Sequence, residues 1–211
     1  EHVSLAQKFY IDPIKNLSIE TYGTLFFMNS YDLIQDMTFT QSSDFMTGFK
    51  AKYDVKDWFS VHLSMHADFY DRFKRHERLD ERKKVYKSCI LEPRLTVTSN
   101  YFNHHSLIFG IEHTSDELTS DRFVNRKMTT RALHETEYFL QDEWIPNTHW
   151  LLSTGVRTNF SKAFGFMWMP KLAAKYSLNN HWAFRANYSM GYRAPSIKEL
   201  FFNWDHLGMF Q

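Results

Sequence analysis

Phe59-Ser60-Val61-His62-Leu63-Ser64-Met65-His66-Ala67-Asp68-Phe69 reads as two interleaved lists. Every odd position is apolar and every even one is small, polar or charged. A strand turns successive side chains to opposite faces, so this segment has one greasy side and one wet side. Its length matches the ~9–11 tilted residues a strand needs to cross a bilayer in a barrel.

The same period recurs along the chain. In 181–193, Trp182, Phe184, Ala186, Tyr188, Met190 and Tyr192 oppose His181, Ala183, Arg185, Asn187, Ser189, Gly191 and Arg193. In 149–159, Trp150, Leu152, Thr154 and Val156 oppose Ser153, Gly155, Arg157 and Asn159. In 87–99, Leu91, Pro93, Leu95 and Val97 oppose Glu92, Arg94, Thr96 and Thr98. Pro93 cannot donate to a ladder and is expected to mark a bulge. Reading for this period throughout predicts about ten strands, near 4–11, 16–28, 44–53, 58–70, 87–99, 106–115, 131–144, 149–159, 166–177 and 181–193.

Composition agrees. Aromatic residues make up 18% of 211 residues, yet mean hydropathy is −0.48. No run approaches the ~18 consecutive apolar residues of a membrane helix. Aromatic richness on a polar average is what barrel strands produce, because they hide apolarity on alternate residues. The fold class predicted is therefore all-β, an antiparallel transmembrane β-barrel.

Connections between the strands alternate short and long. Short turns are 12–15, 54–57, 145–148 and 178–180, with a somewhat longer one around 100–105. Long polar ones are expected near 29–43, 71–86 and 116–130, and again after 193; only the loop near 160–165 breaks the rule. Tight periplasmic turns and longer extracellular loops are the build of outer-membrane barrels. Trp58, Trp144, Trp150 and Trp182 all sit beside short turns, as an interfacial aromatic girdle would. This orients the chain, with short turns in the periplasm and long loops outside.

Chemistry is scarce. A net charge of +1 gives no reason to expect nucleic acid. Cys89 is the single cysteine, so no intrachain disulfide forms, and its phase with Leu91 and Leu95 reads as apolar filler. His62 and His66 share a strand face but stand ~13 Å apart along it, too far to chelate one ion together. Asp142 and Glu143 face opposite sides of a strand, and no nucleophile elbow, phosphate loop or zinc-helix pattern occurs. No enzyme is expected. The run 71–84 mixes both signs densely and reads as a solvated hairpin tip, with lipopolysaccharide or protein docking as the alternative.

Tyr192-Arg193-Ala194-Pro195-Ser196-Ile197-Lys198-Glu199-Leu200-Phe201-Phe202 resembles the box of TonB-dependent outer-membrane receptors where a rising strand enters an extracellular loop. Tyr138–Trp144, Gly155-Val156-Arg157 and Pro170-Lys171-Leu172 extend the resemblance, which covers 85–211 well and 1–84 in hairpin pattern. Such receptors resemble 22-stranded barrels closed by an N-terminal plug. The resemblance implies that 1–211 is an internal piece of the barrel domain, with plug, TonB box and C-terminal strands outside it. It implies a Gram-negative outer membrane, with lipid and lipopolysaccharide around the barrel and the TonB complex as partner through the plug.

Within that superfamily the haem-uptake branch carries an F/Y-R-A-P box followed by a haem-binding histidine. Tyr192-Arg193-Ala194-Pro195 is similar to the box, and His206 follows its proline by 206 − 195 = 11 residues. On this resemblance His206 would ligate haem iron, with Tyr192, Arg193, Ala194, Pro195 and Trp204 as cargo-binding neighbours. No permanent cofactor is implied; haem would be cargo. Siderophore and cobalamin import remain alternatives, as does a non-transporting adhesin barrel.

Overall fold

The computed structural model describes residues 1–32, 38–76, 81–123 and 127–202. Ten strands form one antiparallel meander, each paired with its neighbours in sequence. They are β1 (His2–Ile14), β2 (Leu17–Asp32), β3 (Thr38–Lys56), β4 (Phe59–His76), β5 (Glu81–Ser99), β6 (His105–Ser120), β7 (Thr129–Trp144), β8 (Trp150–Ser161), β9 (Gly165–Ser177) and β10 (Ala183–Ser189). One helix, α1 (Ile197–Phe201), follows β10.

Register keeps the two faces chemically separate across the whole sheet. Ile19, Ala51, Leu63, Leu95, Ile111 and Tyr138 are successive cross-strand partners. One residue along, Glu20, Lys50, Ser64, Arg94, Glu112 and Glu137 form the matching row on the other face. A slip of one residue in any strand would mix the rows, so the alternation fixes register. On the first face, Leu63, Leu95, Tyr138, Trp168 and Phe184 are all exposed. Exposed apolar area on this scale is incompatible with water and is the lipid-facing side of a membrane barrel.

The other face is the lumenal wall. Lys8 and Lys50 reach Glu20 at 3.0 and 3.5 Å, Arg94 reaches Glu112 at 3.5 Å, and Arg157 reaches Glu137 at 3.3 Å. His66 shares a 2.9 Å hydrogen bond with Tyr22, and His62 one of 3.2 Å with Ser60. The two histidines thus have separate partners.

Turns at the short end repeat one device. The Asn147 side-chain carbonyl accepts from the backbone N–H groups of His149 and Trp150, and Asn179 does the same for His181 and Trp182. Each asparagine closes a turn and delivers a tryptophan to the same level. Trp144, Trp150 and Trp182 are exposed there, and Trp58 packs on Tyr101 at 4.9 Å. At the opposite end β8 and β9 are joined by a three-residue turn, 162–164, with Gly165 at φ +79°. This is the short exception read from the sequence.

Three expectations change. The segments expected as long loops are largely strand: β4 continues to His76, β5 starts at Glu81, β3 at Thr38, and β6 runs to Ser120. Beyond the bilayer both faces of a hairpin are wet, so the apolar period vanishes while backbone pairing continues. Pro93 makes no bulge. The β5–β6 ladder skips Glu92 and Pro93, then resumes in the same register from Arg94. A missing N–H removes a rung without adding a residue. The bulge lies elsewhere in β5, where Arg72 faces Tyr86 but Phe73 faces Lys84, leaving Val85 as the extra residue. Finally, β10 stops at Ser189 rather than reaching 193, with Met190 giving a last hydrogen bond of 3.0 Å to the Pro170 carbonyl.

Candidate functional site at the outer end of the lumen

After Met190 the chain leaves the sheet and turns across the lumenal face. Ser196 caps α1: its hydroxyl accepts from the Glu199 N–H at 3.3 Å, while the Glu199 carboxylate accepts from the Ser196 N–H at 2.8 Å. This reciprocal arrangement satisfies two helix-start donors at once. Arg193 adds a 2.7 Å ion pair to the same carboxylate. The Ser196 N–H, then Arg193, then the Ser196 hydroxyl hold the Glu199 carboxyl at about 2, below its usual 4.5. A helix of five residues has little stability of its own, so these local bonds matter.

Packing fixes where α1 sits. Ile197 is 1% exposed and lies against Leu118 and Phe123, the one buried hydrophobic cluster among the described residues. Phe202 bridges to Phe123 through the backbone, and the Phe123 ring meets that of Phe202 edge-on at 5.3 Å. The Lys198 ammonium sits 5.2 Å from the Tyr86 ring, and the Arg131 guanidinium 5.0 Å from that of Phe201. Leu118, Tyr86 and Arg131 all belong to the lumenal row. The box therefore spans from β10 back over β5–β7 and stands at the end of the lumen opposite the Asn147 and Asn179 turns.

Beneath α1 lies a cavity of about 590 Å³ lined by Asp44, Asp68, Tyr70, Arg72, Lys74, Tyr86, Ser120, Asp121, Arg122 and Lys198, among others. Its size is that of a small-molecule site. Two bonds from Arg72, 2.9 and 2.6 Å, hold the Tyr70 hydroxyl, which donates to Ser42 at 3.1 Å. Tyr70 in turn meets Tyr86 edge-on at 5.5 Å. Arg72, Lys74, Arg122 and Lys198 share this space with Asp44, Asp68 and Asp121 and with the phenols of Tyr70 and Tyr86, a donor-rich lining that suits a polyoxygenated or aromatic ligand carrying negative charge toward the cations.

Of the residues expected at the site, Tyr192, Ala194 and Pro195 are half-buried in the crossing segment, and Arg193 serves α1 through Glu199. Trp204 and His206 lie outside the described residues. Sequence reading missed Tyr70, Arg72, Tyr86 and Lys198. The first three carry the even parity of lumenal residues in β4 and β5, a signal that was present. Lys198 was quoted within the box, but its position follows only from the helix.

Known proteins resemble this chain in family and fold. Residues 7–210 match the family model described as TonB dependent receptor-like, beta-barrel. The iron-regulated outer membrane virulence protein of Vibrio cholerae serotype O1 is 24% identical over 151 residues, covering 70% of this chain and 22% of that protein. The chain thus spans about a fifth of the length of that relative. The siderophore receptor PirA of Acinetobacter baumannii superposes with a TM-score of 0.76 at 11% identity, covering 92% of this chain and 34% of that one. PirA of Pseudomonas aeruginosa gives 0.74 at 12% identity, with 93% and 34% covered. At such identities the likeness is one of fold, and the fold is an outer-membrane barrel. By the extent of the family match, this chain belongs to the TonB-dependent receptors, as a segment of their outer-membrane β-barrel.

Proposed function

We propose that the intact protein imports an iron chelate across the outer membrane, energised by TonB through a plug domain. The observation that carries this is the box itself, folded as a capped helix inside the lumen over a cavity lined by Arg72, Lys198, Tyr70 and Tyr86. A ferric siderophore is the cargo this lining suits best, since its negative charge and oxygen-rich surface match guanidinium, ammonium and phenol donors that outnumber the carboxylates of Asp44, Asp68 and Asp121. The iron-regulated relative and the siderophore receptors of like fold support the same class.

Haem is the second reading. It is favoured by Tyr192-Arg193-Ala194-Pro195 and by His206 eleven residues on, a neutral imidazole being a good ligand for haem iron. Trp204 would then stack on the porphyrin.

Growth of an iron-starved host lacking its own receptors separates the two. The full-length gene should restore growth on ferric siderophores, and Arg72→Gln with Lys198→Gln should reduce it while His206→Ala has no effect. Growth on haem that is lost with His206→Ala would replace the siderophore reading by haem. Growth on neither chelate, with the receptor present in the membrane, would overturn iron import.

A further inference from the structure

Histidines four apart on one strand stand too far from each other to share an ion, but pairing between strands brings two others together. In the β6–β7 ladder His113 faces Thr136 and His134 faces Ser115, so the two histidines are diagonal neighbours on the outward face. His113 stands one side-chain step beyond the outward pair Ile111 and Tyr138. The two rings lie 6.1 Å apart, centre to centre, and within 9° of parallel. No other two histidine rings meet among the described residues. The His113 Nδ1 shares a 2.9 Å hydrogen bond with the Thr136 hydroxyl, which leaves Nε2 as its open nitrogen. His134 is exposed, and among the described residues its ring makes no hydrogen bond.

This spacing is within reach of one shared ion. An imidazole nitrogen bonds zinc at ~2.0–2.1 Å, with the ring centre ~1.1 Å behind it, so two rings on one ion have centres about 5.2 Å apart at a tetrahedral angle and about 6.4 Å at most. The exposed His134 ring can turn about its side-chain torsions, while Thr136 holds that of His113, as an outer hydrogen-bond partner holds a metal-bound histidine. Charge on this face also favours a cation. Glu117, one step beyond Ser115, is the nearest charged side chain along the outward rows of β6 and β7, and neither row carries a lysine or arginine among the described residues. Lys87 of β5 stands a further step out, opposite Thr119.

We propose that His113 and His134 form a two-histidine site for a borderline divalent transition-metal ion, Cu²⁺ or Zn²⁺, on the outer wall of the barrel, with solvent completing its coordination. Neutral imidazole suits these ions, and Cu²⁺ binds such nitrogen donors more tightly than Zn²⁺. Bound there, the ion links β6 to β7 from outside and stabilises the folded barrel, because the unfolded chain does not hold the two rings together. The site lies on the wall opposite to the lumen and is independent of the cargo.

Its test uses the full-length receptor, purified in detergent, freed of metal with EDTA and titrated with Cu²⁺. Calorimetry reads the affinity, and pulsed electron paramagnetic resonance counts the imidazoles on the ion. The wild type should show a two-imidazole signal that both His113→Ala and His134→Ala remove, each weakening that site by about ten-fold or more. Thr136→Val should keep both imidazoles on the ion and weaken binding by about ten-fold. His181→Ala, at an exposed histidine beside the Asn179 turn, should stay within about two-fold of wild type. Zn²⁺ should displace Cu²⁺ weakly, and Mg²⁺, which prefers oxygen ligands, should not compete. Retained heat-modifiable gel mobility certifies a folded barrel for each variant. A wild type with one-imidazole signals only, an unchanged two-imidazole signal in either histidine variant, or an equal loss with His181→Ala would each overturn the proposal.

Discussion

The ring of Phe139 lies over Gly110, its direct partner in the β6–β7 ladder, filling the space a side chain there would need. The Arg94 and Arg157 guanidinium groups flank that ring at 4.9 and 5.7 Å. Tyr22 stands in the same relation to Gly48, with its hydroxyl anchored on His66. An aromatic ring laid over a cross-strand glycine shields backbone that the missing side chain would expose. A Cβ built on Gly110 overlaps the ring, so Gly110→Ala must displace it. Overpacking of this kind costs about 1–3 kcal/mol. Gly110→Ala combined with Phe139→Ala should cost less than the two changes summed, since the clash is gone. Chemical unfolding of the intact barrel in detergent measures both, and simple additivity would mean that the ring does not occupy that space.

Leu63 and His62 test the face assignment. Leu63 is 44% exposed on the lipid side, next to Ala51 and Leu95, whereas His62 stands on the lumenal wall with Ser60. Leu63→Arg should destabilise the intact barrel by ~2–4 kcal/mol if it lies near the midplane, while His62→Arg should be mild. Unfolding in lipid bilayers or micelles reads the difference, and equal effects would remove the register.

How much of this was legible follows from where both faces have the same solvent. Through the bilayer one face of each strand meets lipid, so β4 could be read residue by residue from Phe59 to Phe69. Beyond it, in Asp71–His76 and Glu81–Lys84, both faces are wet and composition carries no period. The bulge at Val85 sits in Lys83-Lys84-Val85-Tyr86-Lys87, where a one-residue slip leaves no trace in hydropathy. Pro93 drew attention because proline is conspicuous, although a lost N–H and an added residue are different things. The helix in the box is too short for periodicity, but Ser196-x-x-Glu199 is a capping-box signature that was readable. The lumenal cavity required the crossing of the chain after Met190, which is tertiary and has no local signal.

Glu199 makes the cap of α1 acid-resistant. Its folded carboxyl titrates at about 2, below the ordinary 4.5. A depressed folded value stabilises the fold above the unfolded value, and that contribution is lost as pH falls from about 4.5 through about 2. The Glu199→Gln variant should therefore be less stable than wild type at neutral pH, and the gap should close only in that acid window. Trypsin cleavage after Arg193 or Lys198 in the membrane-embedded receptor, or another local probe of α1 at the acid end, can follow it. A gap that persisted unchanged at pH 2 would show that the ionised carboxylate is not what holds the cap.

Topology offers the broadest check, because it decides which end of the lumen meets the cargo. The Asn147 and Asn179 turns and the exposed Trp144, Trp150 and Trp182 mark one end of the sheet. The extended β4–β5 hairpin, α1 and the cavity mark the other. Tight turns with a tryptophan girdle belong to the periplasmic side, since the outer side is where hairpins project past the membrane. An epitope inserted between His76 and Glu81 in the full-length receptor should be labelled on intact cells. One inserted within 145–148 should be labelled only after the outer membrane is permeabilised. Labelling in the opposite order would turn the barrel over, bring the cavity beneath α1 to the periplasmic face, and leave no route by which it could be the first site to meet an external chelate.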